Sequence, residues 1–288
     1  MRPRGGGNLR RGRGCVAGSF PLGRACRLAA VGLFAWGLWA SSLSAESVAS
    51  GPVIPLPAEA HEFLSPLGAD AVGAALPAPP ITDPGRLRHL EPGVWKYRIL
   101  QGPRRGGVET VRVELEDPGE SGEAVKLVFD SGEVQHLQVT YDHEVKKLSQ
   151  LDAGSDRLVV YRPGLVLEPR MAVGESKQVK TALATHRGGG SGKVEYSGHL
   201  DYTTTYVGAY RVETPAGSFD ARLLVHQYEM KIGPAKAYYR SYGFYVDDVG
   251  MVAEVSKERV TALLLYRRSD RSARLLEEMP EPVAASDP

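Results

Sequence analysis

Across residues 91–266 the chain alternates apolar and polar positions in short segments separated by turn residues, the period-2 signature of strands that bury one face. Trp95, Tyr97 and Ile99 share a face in the first segment. Val111, Val113 and Leu115 share the next, followed by Val125, Leu127 and Phe129, and by Leu137, Val139 and Tyr141. Pro118-Gly119, Asp130-Ser131-Gly132 and Asp142-His143 stand between them, so neighbouring strands are predicted to pair antiparallel through short hairpins. Residues 158–183 carry Pro163-Gly164, Pro169 and Val173-Gly174-Glu175, which predicts short strands at an edge or corner.

Beyond the glycine run at 188–192, Val194, Tyr196, Leu200, Tyr202, Tyr206, Tyr210 and Val212 all fall on even positions, the clearest alternation in the chain. This predicts one long strand, or two with a bend at Gly208. After Pro215-Ala216-Gly217 the apolar positions are odd (Phe219, Ala221, Leu223, Val225), and then even (Tyr228, Met230, Ile232). A change of phase near His226 points to a bulge that bends the sheet. No amphipathic helical segment of ten or more residues interrupts the series. The prediction is an all-β domain over residues 91–270, built as a single strongly curved antiparallel sheet or half-open β-barrel.

The flanks differ in composition. Seven arginines precede residue 28, an apolar run follows to Leu43, and small residues continue through Ala45. That order is the order of a secretory signal peptide over residues 1–45, too short in its apolar part to span a bilayer. Its removal leaves 28 of the 35 basic residues against 34 acidic ones, a formal charge of −6, which argues against a nucleic-acid partner. Both cysteines, Cys15 and Cys26, leave with the signal, so the exported chain has no disulfide. No lipid anchor and no integral membrane span after signal removal are expected, and the location is periplasmic or secreted. Residues 46–90, with eight prolines among alanines and glycines, are expected to form a spacer, and residues 271–288 a disordered tail.

Chemical motifs fail on spacing. The Gly192-Lys193 pair has Arg187 where a phosphate loop needs glycine and Val194 where it needs a hydroxyl. Asp142-His143-Glu144, with His136 nearby, is a metal candidate better explained as an acidic, solvated hairpin end. His199 and Asp201 share a strand face and are the one candidate acid/base pair, although a solvated cross-strand surface is much the better explanation of them. No cofactor, metal or catalytic residue is assigned. Tyrosine is the unusual feature, since ten of thirteen lie between Tyr196 and Tyr266. On a concave sheet these rings present large apolar faces with polar tips, so Tyr196, Tyr202, Tyr206, Tyr228, Tyr238 and Tyr242 are the candidate ligand-binding residues.

Trp95-Lys96-Tyr97, Val173-Gly174-Glu175, Thr214-Pro215-Ala216-Gly217-Ser218-Phe219 followed by Ala221, and Val249-Gly250-Met251-Val252 together resemble a family of exported bacterial β-domains of unknown function. In that family a Pro-Ala-Gly-Thr-Phe turn and a later Gly-Val-Gly-Leu-Val turn bracket a hairpin. Ser218 stands here for the usual threonine, and Phe244-Tyr245-Val246-Asp247 replaces an aromatic-Ala-Pro-Gly stretch. The resemblance implies a curved antiparallel sheet similar to the half-open barrels of periplasmic lipoprotein carriers, and it transfers no catalytic residue. The leading expectation is a non-enzymatic envelope protein that binds a lipid or other apolar or amphipathic ligand in the sheet concavity. Alternatives are an assembly module with an envelope protein partner, and a hydrolase whose site is unrecognised.

Overall fold

The computed structural model describes residues 51–119, 122–152, 154–188, 192–262 and 266–280. The residues read as a signal peptide lie outside this set. Thirteen strands form one antiparallel sheet: β1 (Val72–Leu76), β2 (Gly93–Gln101), β3 (Val108–Gly119), β4 (Gly122–Phe129), β5 (Val134–Val139), β6 (Val145–Asp152), β7 (Arg157–Val166), β8 (Ser176–Arg187), β9 (Val194–Thr214), β10 (Gly217–Ile232), β11 (Ala235–Val246), β12 (Gly250–Ala262) and β13 (Tyr266–Glu278). From β2 to β13 each strand pairs with the next in sequence, as the hairpin pattern predicts.

The sheet does not stay half open. β13 returns to pair antiparallel with β2, from Ala273 opposite Gln101 to Glu278 opposite Lys96, and a twelve-stranded barrel closes. The closing strand runs from the end of the expected domain into the first part of the stretch expected to be a tail, residues 271–278, and its composition explains why it was not read as a strand. Arg267, Arg268, Asp270, Arg271, Arg274, Glu277 and Glu278 give it too little apolar alternation to read as a strand. It needs little, because its inward positions face a polar lumen. Closure also leaves β7 and β8 paired on both sides, so neither is the edge their prolines and glycines predict. Pro163 sits instead where the β6–β7 register slips.

The change of phase along β10 has a different origin from the one expected. β10 pairs with β11 without interruption from Arg222 to Ile232. The bulge lies on β9, where Val207 is the extra residue between the Tyr206–Leu224 and Gly208–Leu223 pairs. What switches is the covered face. The even positions His226, Tyr228 and Met230 look into the lumen, whereas Ala221, Leu223 and Val225 are buried on the opposite face.

The segment before the barrel, expected to be a spacer, folds onto the wall over its described part. It contains α1 (Ala58–Leu64), two short 3₁₀ turns (Ser65–Leu67 and Pro84–Leu87) and β1, which pairs with the second half of β9. Phe63 packs on Tyr242 with ring centroids 4.6 Å apart, and Arg271 donates to the Phe63 carbonyl at 2.7 Å. Leu64, Leu67 and Leu87 join Val212, Leu223, Phe244, Ala253 and Val255 in the apolar core. The prolines keep this arm from becoming regular structure without preventing its burial.

If β13 closes the barrel, truncation after Arg268 should yield aggregated or unfolded protein, whereas truncation after Pro280 should leave a monodisperse, cooperatively melting one. Size-exclusion chromatography and circular dichroism distinguish the two.

Candidate functional site

Closure encloses a cavity of about 630 Å³ inside the barrel. Direct cross-strand partners share a face, so the register lays the inward face of β9 to β13 out in rungs, most members of which line the cavity. Tyr202, Tyr228, Tyr239, Glu258 and Asp270 form one rung across β9 to β13. Thr204, His226, Ser241, Ser256 and Ser272 form the next, and Tyr206, Leu224, Gly243, Glu254 and Arg274 the third. Val111, Leu127, Phe129, Val159 and Leu165 from the other strands, and Leu200 from the start of β9, supply aliphatic and aromatic side chains. The cavity is therefore two-sided, with hydroxyls and charges concentrated on β11 to β13 and apolar side chains on β3, β4, β7 and the start of β9.

One end is stopped by the second 3₁₀ turn and the two residues after it. The Asp248 amide donates to the Arg86 carbonyl at 2.7 Å, and Arg86 Nε donates to Asp248 Oδ1 at 2.9 Å. Arg88 reaches inward, donating to Glu168 Oε2 at 2.7 Å with its guanidinium over the Tyr245 ring, while Glu168 is 0% exposed. Burial opposes the charge on Arg88, but Glu168 overrides it and raises its pKa. His89 bonds the Tyr97 hydroxyl, which donates to the Met251 carbonyl at 2.8 Å. With that hydroxyl proton committed, His89 Nε2 is the donor and Nδ1 faces Gly250. Gly250 sits at φ 86°, and a Cβ there would lie 2.4 Å from Nδ1. The motif glycine is thus required twice, by the turn and by the histidine. Gly243 has a similar role, since a Cβ would lie 2.6 Å from the Tyr245 ring that turns over it. A second recess, about 500 Å³, lies beyond the stopper and is lined by Arg86, Arg88, His89, Trp95, Thr140 and Asp248.

Deeper charges are held in pairs. Arg274 donates to Glu254 Oε2 at 2.8 Å on the neighbouring strand and also contacts Glu109 on β3, with its guanidinium over Tyr97. It therefore ties β12 to β3 across the seam that closes the barrel. His226 lies between two tyrosines, with Nδ1 2.8 Å from the Tyr202 hydroxyl and Nε2 3.2 Å from the Tyr245 hydroxyl. Burial first, and then the charges of Arg88 and Lys147, push its pKa down to about 3. Burial does the same to His89, also to about 3, with Arg88 and Arg274 contributing. The Tyr202, Tyr228, Tyr239 and Tyr245 hydroxyls are raised by burial and stay protonated.

Of the six tyrosines expected to bind ligand, the structure brings Tyr202 and Tyr228 to the cavity. Tyr206 is buried and donates to the Pro79 carbonyl of the arm at 2.9 Å, and Tyr242 lies outside the wall under Phe63. Tyr196 reaches the rim beside Gly233, 39% exposed, and Tyr238 points outward, 46% exposed. The physical reason is register. The Gly233-Pro234 turn sets Ile232 opposite Ala235, so even positions on β10 face the same side as odd positions on β11. Tyr239 and Tyr245 line the cavity in place of their even-numbered neighbours. Tyr97, Tyr161, Arg88, Glu109, His226, Glu254, Glu258 and Arg274 were missed as lining residues. Tyr97 and Tyr239 could have been found from phase alone, whereas the ionic groups required knowledge of the closure.

The other candidates stay dispersed. His199 is exposed on the outer face and Asp201 pairs with Lys180 at 3.3 Å. Asp142, His143 and Glu144 turn to Arg170, Asp83 and Lys146 respectively, and no group able to hold a metal occurs among the described residues. Outside the barrel, Arg98, Arg112, Lys180, Lys236, Lys257 and Arg259 are exposed, which is unlike the apolar belt of a transmembrane barrel. Among the described residues no helix is long and apolar enough to cross a membrane.

No protein-family model matches the chain, and no curated protein does. Two solved structures share part of its backbone course. One, from Bacteroides fragilis, is described as an exported protein with a YmcC-like fold; it is 14% identical, spans 68% of this chain and 98% of its own, and gives a TM-score of 0.40. The other, described as a lipoprotein from Parabacteroides distasonis, is 13% identical, spans 67% and 97%, and gives 0.29. At these values the likeness establishes no common family.

Two measurements check the electrostatics. Arg274→Ala leaves Glu254 and Glu109 without their cation and should cost about 3 kcal/mol, lowering the melting temperature by roughly 6–12 °C. The histidines give a pH signature. Below about pH 6.5 the unfolded chain takes up protons that buried His89 and His226 refuse, so stability falls as pH drops. The expected slope is up to about 1.4 kcal/mol per pH unit for each histidine, read by urea unfolding between pH 7 and 5. His226→Gln should flatten it by about half.

Proposed function

We propose that this chain is a non-enzymatic, exported binding protein that holds an amphipathic envelope component inside its barrel. The observation that carries the reading is the two-sided cavity, about 630 Å³, with an aliphatic wall on β4, β7 and β9 and a wall of hydroxyls and charges on β11 to β13. A ligand with one apolar and one polar side matches both walls at once, whereas a purely apolar one would lie against the charges and hydroxyls of β11 to β13 without pairing with them.

A binding role also suits the state of the polar groups. Arg88 is committed to Glu168, Arg274 to Glu254 and Glu109, and His226 to two tyrosines. These form a rigid, already neutralised floor, which orients a ligand but offers no activated nucleophile or poised base. The basic and apolar order of residues 1–45 supports export, and the charged outer wall supports a barrel that works in water.

Native mass spectrometry of protein extracted gently from its source cells should show a lipid-sized adduct. Leu200→Trp, which fills the apolar side, should remove the adduct while leaving the melting temperature within a few degrees. An unliganded mass for the parent protein, with no heat of binding on isothermal titration with a lysolipid, would contradict the proposal.

A further inference from the structure

We propose that the cavity contains a subsite for a cationic group, in which the alkylammonium of an amphipathic ligand sits between the Glu258 carboxylate and the stacked rings of Tyr228 and Tyr239. The inference rests on the reading of the cavity as a ligand site, and names the chemistry of the ligand's polar end.

The argument is one of charge matching along the lining. Glu168 has Arg88, and Glu109 and Glu254 share Arg274. Glu133, by the mouth, accepts from Gln135 Nε2 at 2.6 Å. Glu258 differs. Its hydrogen-bond partner is the Tyr228 hydroxyl at 3.3 Å, and among the described residues no Lys, Arg or His nitrogen lies within ion-pair distance of it. The nearest cation by register, Arg268, pairs with Asp270. Lys147 is spent elsewhere, donating to Gln150 Oε1 at 3.0 Å with its ammonium over the Tyr161 ring.

The surroundings of Glu258 favour a cation and supply none. Tyr228 and Tyr239 lie with centroids 4.8 Å apart and planes 11° from parallel, in the same rung as Glu258. Tyr239 donates its hydroxyl to Glu254 at 3.1 Å, which fixes its ring and adds electron density to the face it presents. Burial raises the Glu258 pKa above the usual carboxylate value, and the negative charges of Asp270 and Glu133 add to it, against the Tyr228 hydrogen bond and the charge of Arg268. A carboxylate in this position is stabilised when a cation arrives, and stacked phenol rings attract the same cation through their faces. A quaternary ammonium suits the rings, and its alkyl chain would run toward Leu127, Phe129, Val159 and Leu200.

Isothermal titration with decyltrimethylammonium, decyl sulfate and decyl maltoside, each below its micellar concentration, separates the outcomes. The cationic probe should bind the parent protein at least about tenfold tighter than the other two. Glu258→Gln should abolish that preference while keeping maltoside binding and the melting temperature, Glu258→Asp should retain it, and Tyr228→Phe should retain it within about threefold. Equal affinity for the three probes, or a preference unchanged in Glu258→Gln, overturns the cationic subsite and leaves the cavity reading in place. Binding of none of them by the parent protein overturns both.

Discussion

The antiparallel pairing of β13 with β2 is the constraint on which the rest depends. Every other pairing in the barrel joins strands adjacent in sequence and needs only a hairpin turn, whereas this one joins residues separated by most of the domain. Its loop-closure cost is repaid by removing both edges of a twelve-stranded sheet at once. Arg274 sits at that seam and reaches Glu254 on one side and Glu109 on the other, so the junction is held by an inward ionic bridge as well as by the backbone. The cavity exists only because the sheet closes.

Closure alone does not explain how the barrel keeps a polar interior. The serines, carboxylates and arginines of the lumen contribute little hydrophobic stabilisation, so burial comes from its apolar wall, with Val111, Leu127, Leu165 and Leu200, and from a second layer outside it. That layer lies on the side of β11 and β12 turned away from the lumen, where Tyr242, Phe244, Ala253 and Val255 are buried and Phe63 of the preceding arm packs on Tyr242. The arm thus supplies burial on the outside and, through Arg88 and His89, stops one end of the inside. Its two roles are physically linked: the same short segment carries the packing that stabilises the fold and the charge that fixes the floor of the cavity.

Much of this organisation was legible along the chain. Alternation located most strands from β2 to β12, though not β6, the turn residues located hairpins between them, and the family-like turns at Gly217 and Gly250 had the backbone origins expected of them. The two misreadings share a cause. The arm lacked periodicity because it packs irregularly, and β13 lacked apolar alternation because its inner face meets a polar lumen; composition therefore labelled one a spacer and the other a tail. The tyrosine prediction failed at Tyr238 and Tyr242 for a narrower reason, since a two-residue turn reverses parity between β10 and β11.

What the sequence by itself determined was the all-β class, the antiparallel order and the abundance of tyrosine on the C-terminal strands, because period and turn chemistry are local properties of the chain. Which face of each strand is inside, which tyrosines meet, and which arginine answers which glutamate were decided by the tertiary structure. Arg88 and Glu168 are 80 residues apart, and Arg274 and Glu109 are 165 apart. Long-range ion pairs and the parity of strand faces depend on register and closure, and these are fixed only when the whole barrel has formed.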